Sequence, residues 1–235
     1  MSAIRHVLIT RPALDAGPLI AACYARGFAP LVSPLLDIVT LYDAVPDLAG
    51  AQAVIFTSGN AVAAVRWVVP DVPVYAVGEK TARAARAAGF RNVIVAGGDA
   101  AALNGLLAGE KFAPGRPVYH LSGRDVAAAI AVPGVAVERH VVYRAEMIDE
   151  FVPDARRELA SGGVAAVTIM SARTGQAFVT AIEKAGLAGE MAATKALCIS
   201  DSVLQSVAQL PWRGGAVART PDMEGMVALL ADPAL

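Results

Sequence analysis

Short apolar runs alternate with longer mixed stretches along most of this chain. The clearest run is Ala53-Val54-Ile55-Phe56, which is too short for a helix and suits a strand covered on both faces. Thr57, Ser58, Gly59 and Asn60 follow where a helix must begin, and Val62 and Val65 then resume an apolar face, predicting a helix that reaches about Val69. A strand-to-helix corner of this kind is an anion receptor. Its free backbone N–H groups and the positive end of the helix dipole converge on one point.

The same pattern recurs. Ala166 to Met170 reads as a strand, Ser171-Ala172-Arg173-Thr174 as a corner, and Phe178, Val179 and Ile182 as a helical face. Val7-Leu8-Ile9-Thr10-Arg11 is echoed by His120-Leu121-Ser122-Gly123-Arg124 at the interval that separates Ser58 from Ser171, which predicts an internal duplication and a third strand-to-helix corner at Ser122-Gly123-Arg124. Elsewhere the order is strand Val74–Val77, a helix from Gly78 to the stop at Gly89, strand Asn92–Val95 and a helix near Ala100–Leu107. The second half runs helix, strand, helix, strand, helix, strand, helix from Asp154 to Leu230. Regular alternation of this kind favours parallel sheets flanked by helices.

Two extended segments interrupt the alternation, near Leu35–Leu41 and Val135–Arg144. The second half also lacks an opening strand-helix-strand of its own, and residues 1–36 supply one. The expected organisation is therefore a discontinuous α/β domain of residues 1–36 and 149–235, an inserted α/β domain of residues 44–139, and linkers at 37–43 and 140–148 that form a two-stranded hinge.

Composition narrows the function. The 235 residues are 56% apolar, enough for a large core, and the net charge of −1 with scattered basic residues argues against a nucleic-acid surface. The longest apolar run, Val126 to Val137, is broken by Pro133-Gly134 and falls short of the roughly 20 residues a bilayer requires. The N-terminus offers no export signal, so the protein is expected to be cytoplasmic; a monomer is expected as well. Cys23 and Cys198 lack metal or redox spacing and read as reduced core residues. His6, His120 and His140 show no paired spacing for a metal site and read as structural. Neither GxxxxGK[ST], GxGxxG nor GxSxG is present. Ser58 and Ser171 need do no more than cap helices, but corners facing each other across a cleft would suit a small ligand with several carboxylates. The residues alone leave the reaction open.

The ordered series ITRP, PLLDI, IFTSGNAV, YAVGEKTARAARAAGF, HLSGRD, VVYRAE and PDMEGMVALL resembles the uroporphyrinogen-III synthase family over nearly the whole chain. The resemblance implies two α/β domains joined by a two-stranded ladder and a cofactor-free, metal-free lyase of tetrapyrrole (haem) biosynthesis. Its substrate would be hydroxymethylbilane, a linear tetrapyrrole with eight carboxylates. Loss of the terminal hydroxyl gives an azafulvene, and closure through a spiro intermediate inverts ring D. Hydroxide leaves poorly, and a tyrosine hydroxyl, protonated at neutral pH, is a suitable donor.

Matched residue by residue, the resemblance implies that Tyr143 is catalytic. It implies substrate contacts from Thr10, Arg11, Thr57, Ser58, Asn60, Gly78, Thr81, Ser122, Gly123, Arg124, Ser171, Ala172 and Ser200. In the second half the family's TS corner and glycine-led start are replaced by Met170-Ser171-Ala172 and Ile199-Ser200-Asp201-Ser202, with Asp201 either opposing an anionic ligand or capping its helix. The alternatives are a non-catalytic two-lobed binder of polycarboxylates and a structural or regulatory member of the family.

Overall fold

The computed structural model describes residues 5–126 and 128–231. It divides the chain into two compact units, one formed by the residues up to Asp37 and from Glu146 onward, the other by Ile38–Ala145.

The first unit holds β1 (His6–Ile9), α1 (Gly17–Tyr24) and β2 (Ala29–Val32), all preceding the second unit in the chain. The second unit carries most of β3 (Leu36–Thr40), then β4 (Ala53–Phe56), α2 (Gly59–Ala63), β5 (Val74–Ala76), α3 (Glu79–Ala88), β6 (Val93–Val95), α4 (Ala100–Ala108), β7 (Val118–Gly123) and most of β8 (Val137–Met147). The first unit then resumes with α5 (Pro153–Ala160), β9 (Val164–Ile169), α6 (Ala172–Ala185), β10 (Lys195–Cys198), α7 (Asp201–Gln205), β11 (Gly214–Val217) and α8 (Met223–Leu229).

The five strands of the first sheet run in the order β11-β10-β9-β1-β2, all parallel. The second sheet has the order β3-β8-β7-β4-β5-β6, parallel from β8 to β6. At its edge the Leu41 N–H donates to Val142 O and the Ile148 N–H to Leu35 O, so one index rises as the other falls and β3 runs antiparallel to β8. Both faces of each sheet are covered, which is why β4 and β9 are buried and apolar along their whole length. In the first unit Leu8, Val167, Ile169, Phe178 and Ile182 pack on one face, and Val7, Ile9, Leu19, Ala166 and Met226 on the other. In the second, Val54, Phe56, Leu121 and Val142 face α2 and α3, and Ala53, Ile55 and Val118 face α4.

The two sheets share a pattern that repeats the predicted duplication. Matching β1 to β7, β2 to β8, β9 to β4, β10 to β5 and β11 to β6 turns one strand order into the other. The register differs slightly: Thr168 pairs with Ile9, while its counterpart Ile55 pairs with His120 and not with Ser122.

Two predicted helices are corrected. The helix after Ser58 ends at Ala63 rather than near Val69. The stiff side chains of Val65, Val68 and Val69 and the exclusion of the pre-proline residue from helical backbone at Val69-Pro70 stop it early. Among the described residues no helix follows Ser122-Gly123-Arg124, so that corner does not form. The described residues between 124 and 136 cross from β7 to β8 as irregular chain, with a turn at Pro133-Gly134 where Gly134 has φ +73°. Asn104 of α4 explains the extended course: its Nδ2 donates to Ala129 O at 3.2 Å and its Oδ1 accepts from the Ala131 N–H at 3.0 Å, as a neighbouring strand would.

Candidate active site

Each sheet has a point where the chain leaves in opposite directions from two adjacent parallel strands, and ligands of open α/β sheets bind beyond the carboxyl ends of the strands there. In the first unit that point lies between β1 and β9, and in the second between β7 and β4. Thr10, Arg11, Ser171 and Ala172 sit at the former. Thr57, Ser58, Asn60, Ser122, Gly123 and Arg124 sit at the latter. Gly78 and Thr81 follow β5, and Ser200 follows β10, on the same edges. Residues far apart in sequence are gathered by topology alone.

In the first unit the Arg11 Nη1 donates to Met170 Sδ at 3.2 Å and Nη2 lies 3.5 Å from Asp15 Oδ2, while its buried Nε has no hydrogen-bond partner among the described residues. The charge is thus held at the strand end with donor capacity to spare. Ser171 caps α6, accepting from the Thr174 N–H at 3.1 Å and sharing a hydroxyl bond with Thr174 at 2.8 Å. Thr10 differs from expectation: it is fully buried and its hydroxyl donates to Thr168 O at 2.7 Å, tying β1 to β9. Ser200, not Asp201, caps α7 by accepting from the Val203 N–H, and Asp201 is the exposed first helical residue.

In the second unit Ser58 caps α2 by accepting from the Asn60 N–H at 3.2 Å. Gly78 precedes α3 with no side chain to cap it, leaving the first-turn amides to other partners. Thr81 is buried in that turn. A Cβ on Gly78 would lie 3.3 Å from the Gly98 Cα, so the glycine permits close approach of two backbone corners. Thr57 shares a 3.3 Å hydrogen bond with His120 Nε2. Burial, reinforced by the nearby Arg139 charge, pushes the His120 imidazole down to about 4, so it is neutral at physiological pH.

Ser122, expected at a helix start, is a fully buried strand residue whose hydroxyl accepts from Arg139 Nε at 2.9 Å. Arg139 was not legible as a site residue. Its Nη2 also donates to Gly123 O and Arg124 O, each at 2.7 Å, so one guanidinium closes the end of β7 where no helix follows among the described residues. Its alternating place in β8 was the only sequence signal, and it does not say which strand lies alongside. Tyr143 pairs in register with Gly123, its ring packs beside the Val54 and Phe56 core, and its hydroxyl makes no hydrogen bond to a described residue. Burial raises Cys23 to about 11 and Cys198 to about 12, leaving both as inert thiols. No group of three acidic, histidine or cysteine side chains that could hold a metal occurs among the described residues, and no helix there is long and apolar enough to cross a membrane.

A family model described as uroporphyrinogen-III synthase HemD matches residues 17–228. Among solved structures, a mutant uroporphyrinogen III synthase from the extremely thermophilic bacterium Thermus thermophilus is 20% identical, covers 96% of each chain and superposes with a TM-score of 0.52. A second structure of uroporphyrinogen III synthase from Thermus thermophilus, also 20% identical, covers 98% of this chain and 99% of its own with a TM-score of 0.43. At that identity the first likeness speaks to the fold. No curated protein matches this chain in sequence.

Proposed function

The chain belongs to the uroporphyrinogen-III synthase family, cyclising lyases of tetrapyrrole biosynthesis, and on that premise we propose how its own residues close the ring of hydroxymethylbilane with inversion of ring D. The observation that carries the assignment of residues is the gathering of Tyr143, Gly123, Thr57 and Ser58 at the carboxyl edge of one sheet, with Arg11 and Ser171 at the equivalent edge of the other.

Most of the substrate's eight carboxylates meet neutral donors. Those donors are the amides at the Ser58, Gly78, Ser171 and Ser200 corners, with Asn60, Thr81 and Ala172 beside them, each gaining roughly 0.3–1 kcal/mol from a nearby helix dipole. Arg11 and Arg124 add charge. Thr10 and Ser122 contribute only through the strand ends they hold, because their hydroxyls are already engaged. His120 stays neutral beside Thr57 and orients its hydroxyl.

Tyr143 donates its phenolic proton to the terminal hydroxyl, which leaves as water and generates the azafulvene in its protonated form, the pyrrole nitrogen keeping its hydrogen. The substituted carbon of ring D then attacks, the spiro intermediate rearranges, and the proton that ring D gives up on regaining aromaticity restores the phenol. The remaining work is positional: the flexible chain must present the substituted carbon, not the free one, to the electrophile. The domain assignment belongs to the same reading: residues 1–36 with 149–235, the insertion 44–139 and hinge linkers 37–43 and 140–148 are supported by two sheets that share no strand. So do a cytoplasmic setting, a monomeric state and the lack of a nucleic-acid partner, which the scattered basic residues support.

Supplying the purified protein with enzymatically generated hydroxymethylbilane and resolving the oxidised isomers should give isomer III. Tyr143→Phe should lower the rate about 10²–10⁴-fold while leaving product affinity largely intact. A variant within about threefold of the parent rate that still makes isomer III would remove the donor role from this residue.

A further inference from the structure

We propose that Gly123 and Arg139 are positioning residues for ring closure, which together seat the Tyr143 hydroxyl at the carboxyl edge of the second sheet; this rests on the reading of Tyr143 as proton donor. A Cβ built on Gly123 would lie 2.6 Å from Tyr143 Cζ, 2.8 Å from its hydroxyl oxygen and 2.9 Å from Cε2. Carbon atoms in comfortable contact are about 3.5–4.0 Å apart. Gly123 is not among the glycines with positive φ, so its backbone would accept other residues. What position 123 requires is the missing side chain, which leaves the tyrosine ring lying directly on the strand.

The strand cannot retreat to make room. Arg139 holds Gly123 O and Arg124 O from its Nη2 and the Ser122 hydroxyl from its Nε. The Arg124 N–H donates to Tyr143 O at 3.0 Å, just past the register shift between Ser122 and Gly123. With the backbone pinned on one side, an added methyl must be taken up by the tyrosine side chain, which has two free torsions. Its hydroxyl then moves by about 1 Å, a displacement that costs on the order of 10²-fold in rate when the group is part of the chemistry. Arg139 touches no reacting atom in this scheme. It acts through the strand end, and lysine, with one ammonium and no planar fork, cannot make the same three bonds.

The test combines kinetics with a turnover-independent probe. Enzyme carrying 3-fluorotyrosine at its five tyrosines gives a Tyr143 resonance identified by its loss in Tyr143→Phe. Gly123→Ala should shift that resonance and lower kcat about 10–100-fold, with product affinity changed by less than about threefold. Introduced into Tyr143→Phe, the same change should cost less than about twofold more, because the two residues act as one unit. Arg139→Lys should shift the resonance and reduce kcat in the same direction, and it carries the test if the alanine variant does not fold. An unmoved resonance, or an equal loss of rate in both backgrounds, overturns the proposal. A Tyr143→Phe enzyme at parental rate overturns the donor role by itself, and the fluorine shift then still reports whether Gly123 seats the ring.

Discussion

His120 shows how one buried side chain converts the fold into a pH response. Its imidazole is only 2% exposed, and burial with the Arg139 charge holds it near 4 against an ordinary value of 6.5. The unfolded chain takes up a proton as the pH falls below about 6.5, whereas the folded chain does so only near 4. The contribution of this residue is therefore intact above pH 6.5 and is lost as the pH falls toward 4, by on the order of 3 kcal/mol in total. His120→Gln, which keeps a polar partner for Thr57 but cannot titrate, should flatten the loss of stability between those two pH values in urea unfolding. Equal pH slopes for parent and variant would assign the effect elsewhere. The sequence reading of His120 as structural missed its bond to Thr57, since a strand residue's neighbour depends on pairing that only the folded sheet defines.

At the scale of elements, the corners were legible because their chemistry is local. Ser58, Ser171 and Ser200 each stand one residue before a helix and each caps it. Ser58 has φ −153°, which proline, fixed near −65°, cannot adopt. Ser58→Pro should reshape the corner and weaken product binding about tenfold or more, whereas Arg124→Ala, which removes one exposed charge, should cost about two- to fivefold. Titration calorimetry on both variants would decide, and the reverse order would mean that charge, not oriented amides, provides the grip. What was not legible was that no helix forms among the described residues between β7 and β8. The apolar run there could serve a helix or an extended cover equally well, and Asn104, from a different element, selects the latter.

For the whole molecule, the two units have separate cores, and Phe56 is among the largest side chains fully buried in the second. Its edge meets the Phe90 ring with centroids 5.7 Å apart. Phe56→Ala should remove about 3–5 kcal/mol locally. Hydrogen exchange should then accelerate at Val54, Ile55 and Val142 far more than at Leu8 and Val167; uniform acceleration would show that the units unfold as one. By itself the sequence determined the strands, the helix caps and the α/β class, and the recurrence of IFTSGNAV-like corners foretold two similar sheets, because apolar runs and capping residues act over a few neighbouring positions. Tertiary structure alone decided that His120 lies against Thr57, that Arg139 fastens the end of β7, and that Gly123 lies beneath Tyr143. Those relations depend on strand pairing and on the absence of a side chain at one place, and neither leaves a local pattern in the chain.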